Sequence, residues 1–165
     1  MPIRVVIAED EAIIRLDLKE TLEEEGYEVV GETGRGDEAV QLVKEQQPDL
    51  AILDVKMPGM DGFEVCVKLQ ALAETAKIPI IFVTANYAEE QDMIHGLEVG
   101  AYDYLVKPIS RSVLLARVGV MLRIHRSEER VRQLSIIDEL VHSVVWQSTL
   151  HSPGLTHSHC TNSPT

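Results

Sequence analysis

Short apolar runs alternate along this chain with longer segments whose apolar residues recur every three or four positions. Val5-Val6-Ile7-Ala8, Leu50-Ala51-Ile52-Leu53 and the run from Ile78 to Val83 are continuous and end in polar residues. Runs of that kind predict strands covered on both faces. Further strands are predicted at residues 27–30 and 101–106. Between the first two, residues 12–25 carry Ile14, Leu18 and Leu22 at four-residue spacing, with Gly26 placed to end the helix. Residues 37–47 predict a second helix, with Ala39, Leu42 and Val43 turned inward and Pro48 just beyond. Asp61 is a candidate N-cap for a third helix. Residues 88–99 predict a fourth helix ending at Gly100. Ser110 caps a fifth, which carries Val113, Leu114, Arg117, Val118 and Met121.

A fivefold strand–helix alternation predicts an α/β, doubly wound, five-stranded parallel sheet of flavodoxin-like kind. Right-handed crossovers leave few strand orders. The order 2-1-3-4-5 brings the ends of the first, third and fourth strands together. Past Arg123 the pattern changes. Leu134, Ile137, Val141 and Val144 follow a three-four-three spacing, the seam of a coiled coil, over about two heptads. The expected organisation is therefore a domain over residues 1–122, an extended C-terminal helical stalk over 123–147, and a polar tail over 148–165. The tail has no Asp, Glu, Lys or Arg and no periodicity, which predicts disorder.

A length of 165 residues and a hydrophobic fraction of 45% allow one real core. No run approaches the roughly 20 apolar residues of a membrane span, and the start of the chain leads directly into a strand. The formal net charge of −12 argues against DNA binding and suits a site that collects cations. Only two cysteines occur, Cys66 and Cys160, in no paired motif, so a reduced, cytoplasmic protein is expected.

The polar residues that end the strands decide the chemistry. They are Glu9 and Asp10 after the first strand, Asp54 after the third, Thr84 after the fourth and Lys107-Pro108 after the fifth. In the proposed sheet they share one rim. Three carboxylates together raise their own pKa values unless a cation offsets them, and oxygen donors of this kind suit Mg²⁺. Asp54, at the centre, is the candidate nucleophile toward phosphorus, expected to be ionised at neutral pH without a general base. Lys107 and the Thr84 hydroxyl would stabilise charge on the phosphoryl oxygens.

Ala8-Glu9-Asp10-Glu11, the run Leu53-Asp54-Val55-Lys56-Met57-Pro58-Gly59-Met60-Asp61-Gly62, Val83-Thr84-Ala85 and Tyr104-Leu105-Val106-Lys107-Pro108 occur in order and spacing that resemble the receiver domain of bacterial two-component response regulators. The resemblance implies a phosphoryl group passed to Asp54 from a sensor histidine kinase or phosphotransfer protein. It implies Asp10 as a direct Mg²⁺ ligand, Glu9 acting mainly through water, and the Lys56 carbonyl completing the protein ligands. It implies a cis bond before Pro108. It also implies a switch in which Thr84 moves toward the phosphoryl group and Tyr104 rotates inward, altering a face that meets a downstream effector. Lys56 and Asn86, two residues past Asp54 and Thr84, are expected to tune the lifetime of the phosphoryl group.

Several other readings compete. Each rim residue alone reads equally well as a turn former, cap or core residue, and their joint occurrence carries the assignment. Gly34-Arg35-Gly36-Asp37-Glu38-Ala39 imitates a dinucleotide fingerprint, but its acids would repel a pyrophosphate. His151, His157 and His159 read as a solvated tail, and His95, Cys66 and His142 as ordinary helix residues. A haloacid-dehalogenase-type phosphatase would need an acid two residues after the nucleophile, where Lys56 stands. The stretch Leu134-Ser135-Ile136-Ile137-Asp138-Glu139-Leu140 resembles the linker before diguanylate cyclase (GGDEF) domains. That likeness stops at Val141, and no GGDEF segment follows, which would make the chain a receiver and stalk with a missing output domain. The stalk could pair two copies as a parallel homodimer.

Overall fold

The computed structural model describes residues 1–85, 94–96 and 98–150, with side chains described through residue 144. In chain order the elements are β1 (Arg4–Ala8), α1 (Ala12–Glu24), β2 (Glu28–Thr33), α2 (Gly36–Gln46), β3 (Leu50–Asp54), α3 (Gly62–Ala71), β4 (Ile80–Thr84), β5 (Asp103–Val106) and α4 (Arg111–Leu150). The helix expected at 88–99 lies mostly outside the described residues, although 94–96 and 98 are helical. The strands pair in the order β2-β1-β3-β4-β5, every pair parallel. This is the doubly wound sheet that the alternation predicts.

The pleat sorts the side chains into two cores. Val6, Ala8, Ala51, Leu53, Ile80, Phe82 and Tyr104 pack with Ala39 and Val43 of α2 and Val65, Cys66 and Leu69 of α3. Val5, Ile7, Leu50, Ile52, Ile81, Val83 and Leu105 pack with Leu18 and Leu22 of α1 and with Leu114, Val118, Met121 and Leu122 of α4. Each fully buried aliphatic side chain contributes about 1.5–3 kcal/mol. The continuous apolar runs thus reflect burial on both faces.

Helix ends follow local chemistry. Asp61 and Glu64 form a reciprocal capping box at the start of α3. The Ser110 hydroxyl accepts from the Val113 N–H at the start of α4. Gly26 takes φ +91° after α1. Acids crowd the end of α1, where the helix dipole disfavours them, and Arg111 sits at the start of α4, where it is disfavoured too. The two misplacements cancel, because Arg111 pairs with Glu24 and Glu25.

Some boundaries differ from the sequence reading. β2 runs on from residue 30 to Thr33, because parallel pairing with β1 resumes after an irregularity opposite Val5 and Val6. β5 begins at Asp103 rather than 101; Ala101 donates to the Gly96 carbonyl instead. The contacts divide the chain into two units, Met1–His125 and Arg126–Thr165. In the second unit, α4 continues to Leu150 and leaves Leu134, Ile137, Val141 and Val144 exposed. Residues 151–165, with His151, His157, His159 and Cys160, lie outside the described residues.

The turn before α2 packs hard against the loop after β3. The Gly36 N–H donates to the Pro58 carbonyl, and a Cβ on Gly36 would fall 1.8 Å from the Met60 carbonyl oxygen. Around Gly119, within α4, a Cβ would meet nothing within 4 Å. Gly36→Ala is therefore expected to destabilise the fold by about 2 kcal/mol or more. Gly119→Ala should stabilise it by about 0.5–1 kcal/mol. Urea unfolding of the two variants checks both signs.

Candidate functional site

Parallel register puts the reactive groups at one level. Ala8 pairs with Leu53, Asp54 with Val83 and Thr84 with Val106, so Glu9, Asp54 and Lys107 leave the ends of β1, β3 and β5 at one rim. Alternation sends Glu9, Asp54 and Lys107 toward the α1–α4 face, and Thr84 and Tyr104 toward the α3 face. The Lys107 ammonium then meets three carboxylates: Glu9 Oε2 at 2.8 Å, Asp54 Oδ2 at 3.2 Å and Glu11 Oε1 at 3.3 Å. Glu9, Asp54 and Lys107 are 1%, 3% and 8% exposed. The Lys56 N–H donates to Asp54 Oδ1 at 3.3 Å, and the Glu11 N–H to Glu9 Oε1 at 3.0 Å.

A cavity of about 210 Å³ opens over this cluster, lined by Asp10, Glu11, Asp54, Lys56, Thr84, Ala85 and Lys107. Carboxylate oxygens of Glu9, Asp10 and Asp54 lie within 4.8 Å of one another. Glu9 Oε2 is buried with no hydrogen bond of good geometry and relies on the charge of Lys107 alone. One ammonium does not balance this many acids. An unsatisfied buried oxygen and a compact set of hard donors fit a small divalent cation such as Mg²⁺.

The electrostatics show the same imbalance. Burial pushes the Asp54 carboxyl up to about 7, with the hydrogen bond to Asp10 and the charge of Glu9 adding to the rise against Lys107. Burial works against the charge on Asp10 as well, but side-chain hydrogen bonding with Asp54 and Glu9 and the Lys107 charge outweigh it and hold Asp10 below the usual range. The more buried Asp54 is thus the harder of the two to ionise. This corrects the expectation that Asp54 is simply ionised at neutral pH, because desolvation in a crowded acidic pocket disfavours its charge. Burial would lower Lys107, yet Glu9 and Asp54 raise it, so the ammonium stays charged.

The structure brings Glu9, Asp10, Asp54, Lys56, Thr84 and Lys107 to one place. The Lys107–Pro108 bond is cis. Tyr104 lies on the other face of the sheet. Its ring is already buried, 5.5 Å from Phe82, in space left by Gly96, where a Cβ would fall 2.2 Å from the ring. An inward rotation is not needed to reach that position. Asn86 lies outside the described residues. His95 packs edge-on to Phe63, and burial pushes the Cys66 thiol up to about 11. The Gly34–Ala39 segment is an ordinary β2–α2 turn tied by the Thr33 and Arg35 contacts.

Two participants carry no distinct sequence signal. Glu11 stands at the N-cap of α1, but its carboxylate makes no cap bond and reaches Lys107 instead. Arg15 gave no signal, since its guanidinium reaches back six residues to the Glu9 carbonyl.

The model of the response regulator receiver domain family matches residues 5–119. The chain belongs to that family. The receiver is 47% identical over 118 residues to the transcriptional regulatory protein PdtaR of Mycobacterium tuberculosis, covering 72% of this chain and 56% of that one. It is 45% identical over 120 residues to the phosphate regulon transcriptional regulatory protein PhoB of Rhizobium meliloti, covering 73% and 52%. It also resembles the CheY-like receiver domain protein of Methanospirillum hungatei, with a TM-score of 0.72 and 30% identity over 78% of this chain and 99% of that one. The receiver domain of a modulated diguanylate cyclase from Desulfovibrio desulfuricans gives 0.69 and 28% over 78% and 99%. The receiver chain spans about half the length of the curated relatives it matches.

The raised Asp54 pKa has a consequence for stability. Between the ordinary 3.8 and about 7 the folded receiver holds a proton that the unfolded chain releases. Stability of the metal-free protein should therefore fall as pH rises through this window and level off above it. In EDTA at pH 8, Asp54→Asn is expected to gain about 1–2 kcal/mol, less than the whole shift because the Lys107 ion pair is lost. The gain should vanish at pH 4. Urea unfolding at both pH values checks the sign.

Proposed function

We propose that this receiver accepts a phosphoryl group on Asp54 from a phosphohistidine of a sensor histidine kinase or phosphotransfer protein. The observation that carries the reading is the burial of Asp54 among Glu9 and Asp10 with the Lys107 ammonium at 3.2 Å. Glu9, Asp10 and Asp54, with the Lys56 carbonyl, would hold Mg²⁺. When bound there, the cation supplies positive charge that offsets the phosphoryl oxygens and favours the ionised form of Asp54. An Asp54 oxygen attacks phosphorus, an acyl phosphate bond forms, and the bond to the donor imidazole breaks with its electron pair going to the imidazole nitrogen. Lys107 neutralises developing charge, and the Thr84 hydroxyl donates to a phosphoryl oxygen. Lys56 and Asn86, each two residues past a site residue in the sequence, would set the lifetime of the product.

The exposed Ile13 and Leu16 on α1 lie on the helix that starts at this rim, and they suit contact with an apolar face of the donor. The phosphoryl group adds roughly −1.5 to −2 charge. Thr84 and Tyr104 respond as a switch that selects a pre-existing arrangement, since the Tyr104 ring is buried here without a phosphoryl group. Residues 1–122 form the receiver and 123–147 the stalk, whose exposed heptad residues pair with a second copy. A downstream effector or an output domain takes the signal in the cytoplasm. Receivers are phosphoacceptors rather than turnover enzymes. Lys56 stands where a dehalogenase-type phosphatase would carry its second acid, so that alternative lacks its proton donor.

Incubation with acetyl phosphate and Mg²⁺ should label the parent and not Asp54→Asn. Label on the variant at the parent level would refute the assignment. Sedimentation with and without beryllofluoride tests the stalk: the beryllofluoride form should be the larger species.

A further inference from the structure

Arg15 sits in the first turn of α1, and its Nη1 donates to the Glu9 backbone carbonyl at 2.6 Å. The Glu9 N–H is held as well, donating to the Thr33 carbonyl at 2.9 Å. The guanidinium fits beside Gly34. A Cβ on that glycine would lie 3.2 Å from Nη1, 3.5 Å from the Asp10 Cα and 3.6 Å from the Glu9 carbonyl oxygen. The peptide joining Glu9 to Asp10 is thus clamped between the β2–α2 turn and α1. That peptide carries both carboxylates that flank Asp54 in the cation cluster. Among the described residues Arg15 makes no ion pair, so its charge is directed at a carbonyl dipole.

We propose that Arg15 is a positioning residue for the divalent-cation site, fixing the Glu9–Asp10 peptide and through it the two carboxylates. The inference rests on the reading that these carboxylates hold a cation. Charge and position predict opposite signs here. A guanidinium near an acidic pocket repels an incoming cation by Coulomb's law, so removing it as a mere charge would tighten Mg²⁺ binding. Removing it as a clamp leaves the Asp10 root free to move and weakens binding. An outer-shell hydrogen bond to a ligating group typically carries a 10–100-fold effect on metal affinity. Arg15 acts on the backbone rather than on a ligating oxygen, which puts it at the lower end of that range.

Titration calorimetry with Mg²⁺ on the full chain separates these outcomes, together with the rise in unfolding temperature that Mg²⁺ produces in each variant relative to its own metal-free form. Arg15→Met is expected to bind Mg²⁺ about tenfold more weakly than the parent. Arg15→Lys should recover most of the loss. Unchanged or tighter binding by Arg15→Met overturns the inference. If that variant does not fold, Arg15→Gln, neutral and shorter, carries the test by the same criterion. Asp10→Asn is the reference for the site itself. A parent that binds no Mg²⁺, or an Asp10→Asn that binds it as the parent does, overturns the cation-site reading and the Arg15 inference with it. A parent that binds, an Asp10→Asn that does not and an Arg15→Met that matches the parent overturn the inference alone.

Discussion

The site depends on one constraint: among the described residues, Glu9, Glu11 and Asp54 all ion-pair with the one Lys107 ammonium, and Glu9 and Asp54 do so almost out of water. Glu9 and Asp54 are almost fully buried, and Lys107 is the cation in ion-pair reach of both. Buried charges without enough partners are costly, and the molecule meets that cost in two ways. Lys107 keeps its charge against burial, and the Asp54 carboxyl is pushed up to about 7, so it ionises less readily than an exposed aspartate. The pocket is left short of positive charge, and that shortage is what a divalent cation and a phosphoryl group together can use.

The rest of the fold makes this arrangement rigid. β3 and β4, and β1 from Val5 onward, are apolar and buried below the rim, so these strand ends cannot slip without exposing two cores at once. The β2–α2 turn presses on the β3–α3 loop through Gly36, and Arg15 fastens the end of β1 from above. A polar site on rigid strand ends holds its groups more closely than one built on loops. The opposite face follows a different logic. Tyr104 leaves β5 toward α3, where Phe82, Phe63 and His95 form a chain of ring contacts.

The two units of the chain show contrasting uses of apolar residues. In Met1–His125 most of them alternate across strands and pack into two cores. In the second unit they lie exposed along α4 at heptad spacing. Such a helix gains nothing from its own apolar side chains until another surface covers them. The relatives carry differing outputs in their names, two transcriptional regulators and a diguanylate cyclase, while the receiver is common to all of them.

Much of this was legible before any coordinates. Apolar runs bounded by acids, the helix periods and the order of strand-end residues determined the element order, the doubly wound class and the convergence of Glu9, Asp10, Asp54, Thr84 and Lys107. Those are local patterns, and local patterns record which faces are buried. Other features were settled only by tertiary structure. The extension of β2 to Thr33 depends on pairing with β1. The buried position of Tyr104 depends on the absence of a side chain at Gly96. The raised pKa of Asp54, the diversion of Glu11 to Lys107 and the reach of Arg15 to the Glu9 carbonyl depend on distances between residues far apart in the chain or on how the β1–α1 turn folds back. Desolvation and close approach are properties of a filled three-dimensional volume, and no one-dimensional spacing encodes them.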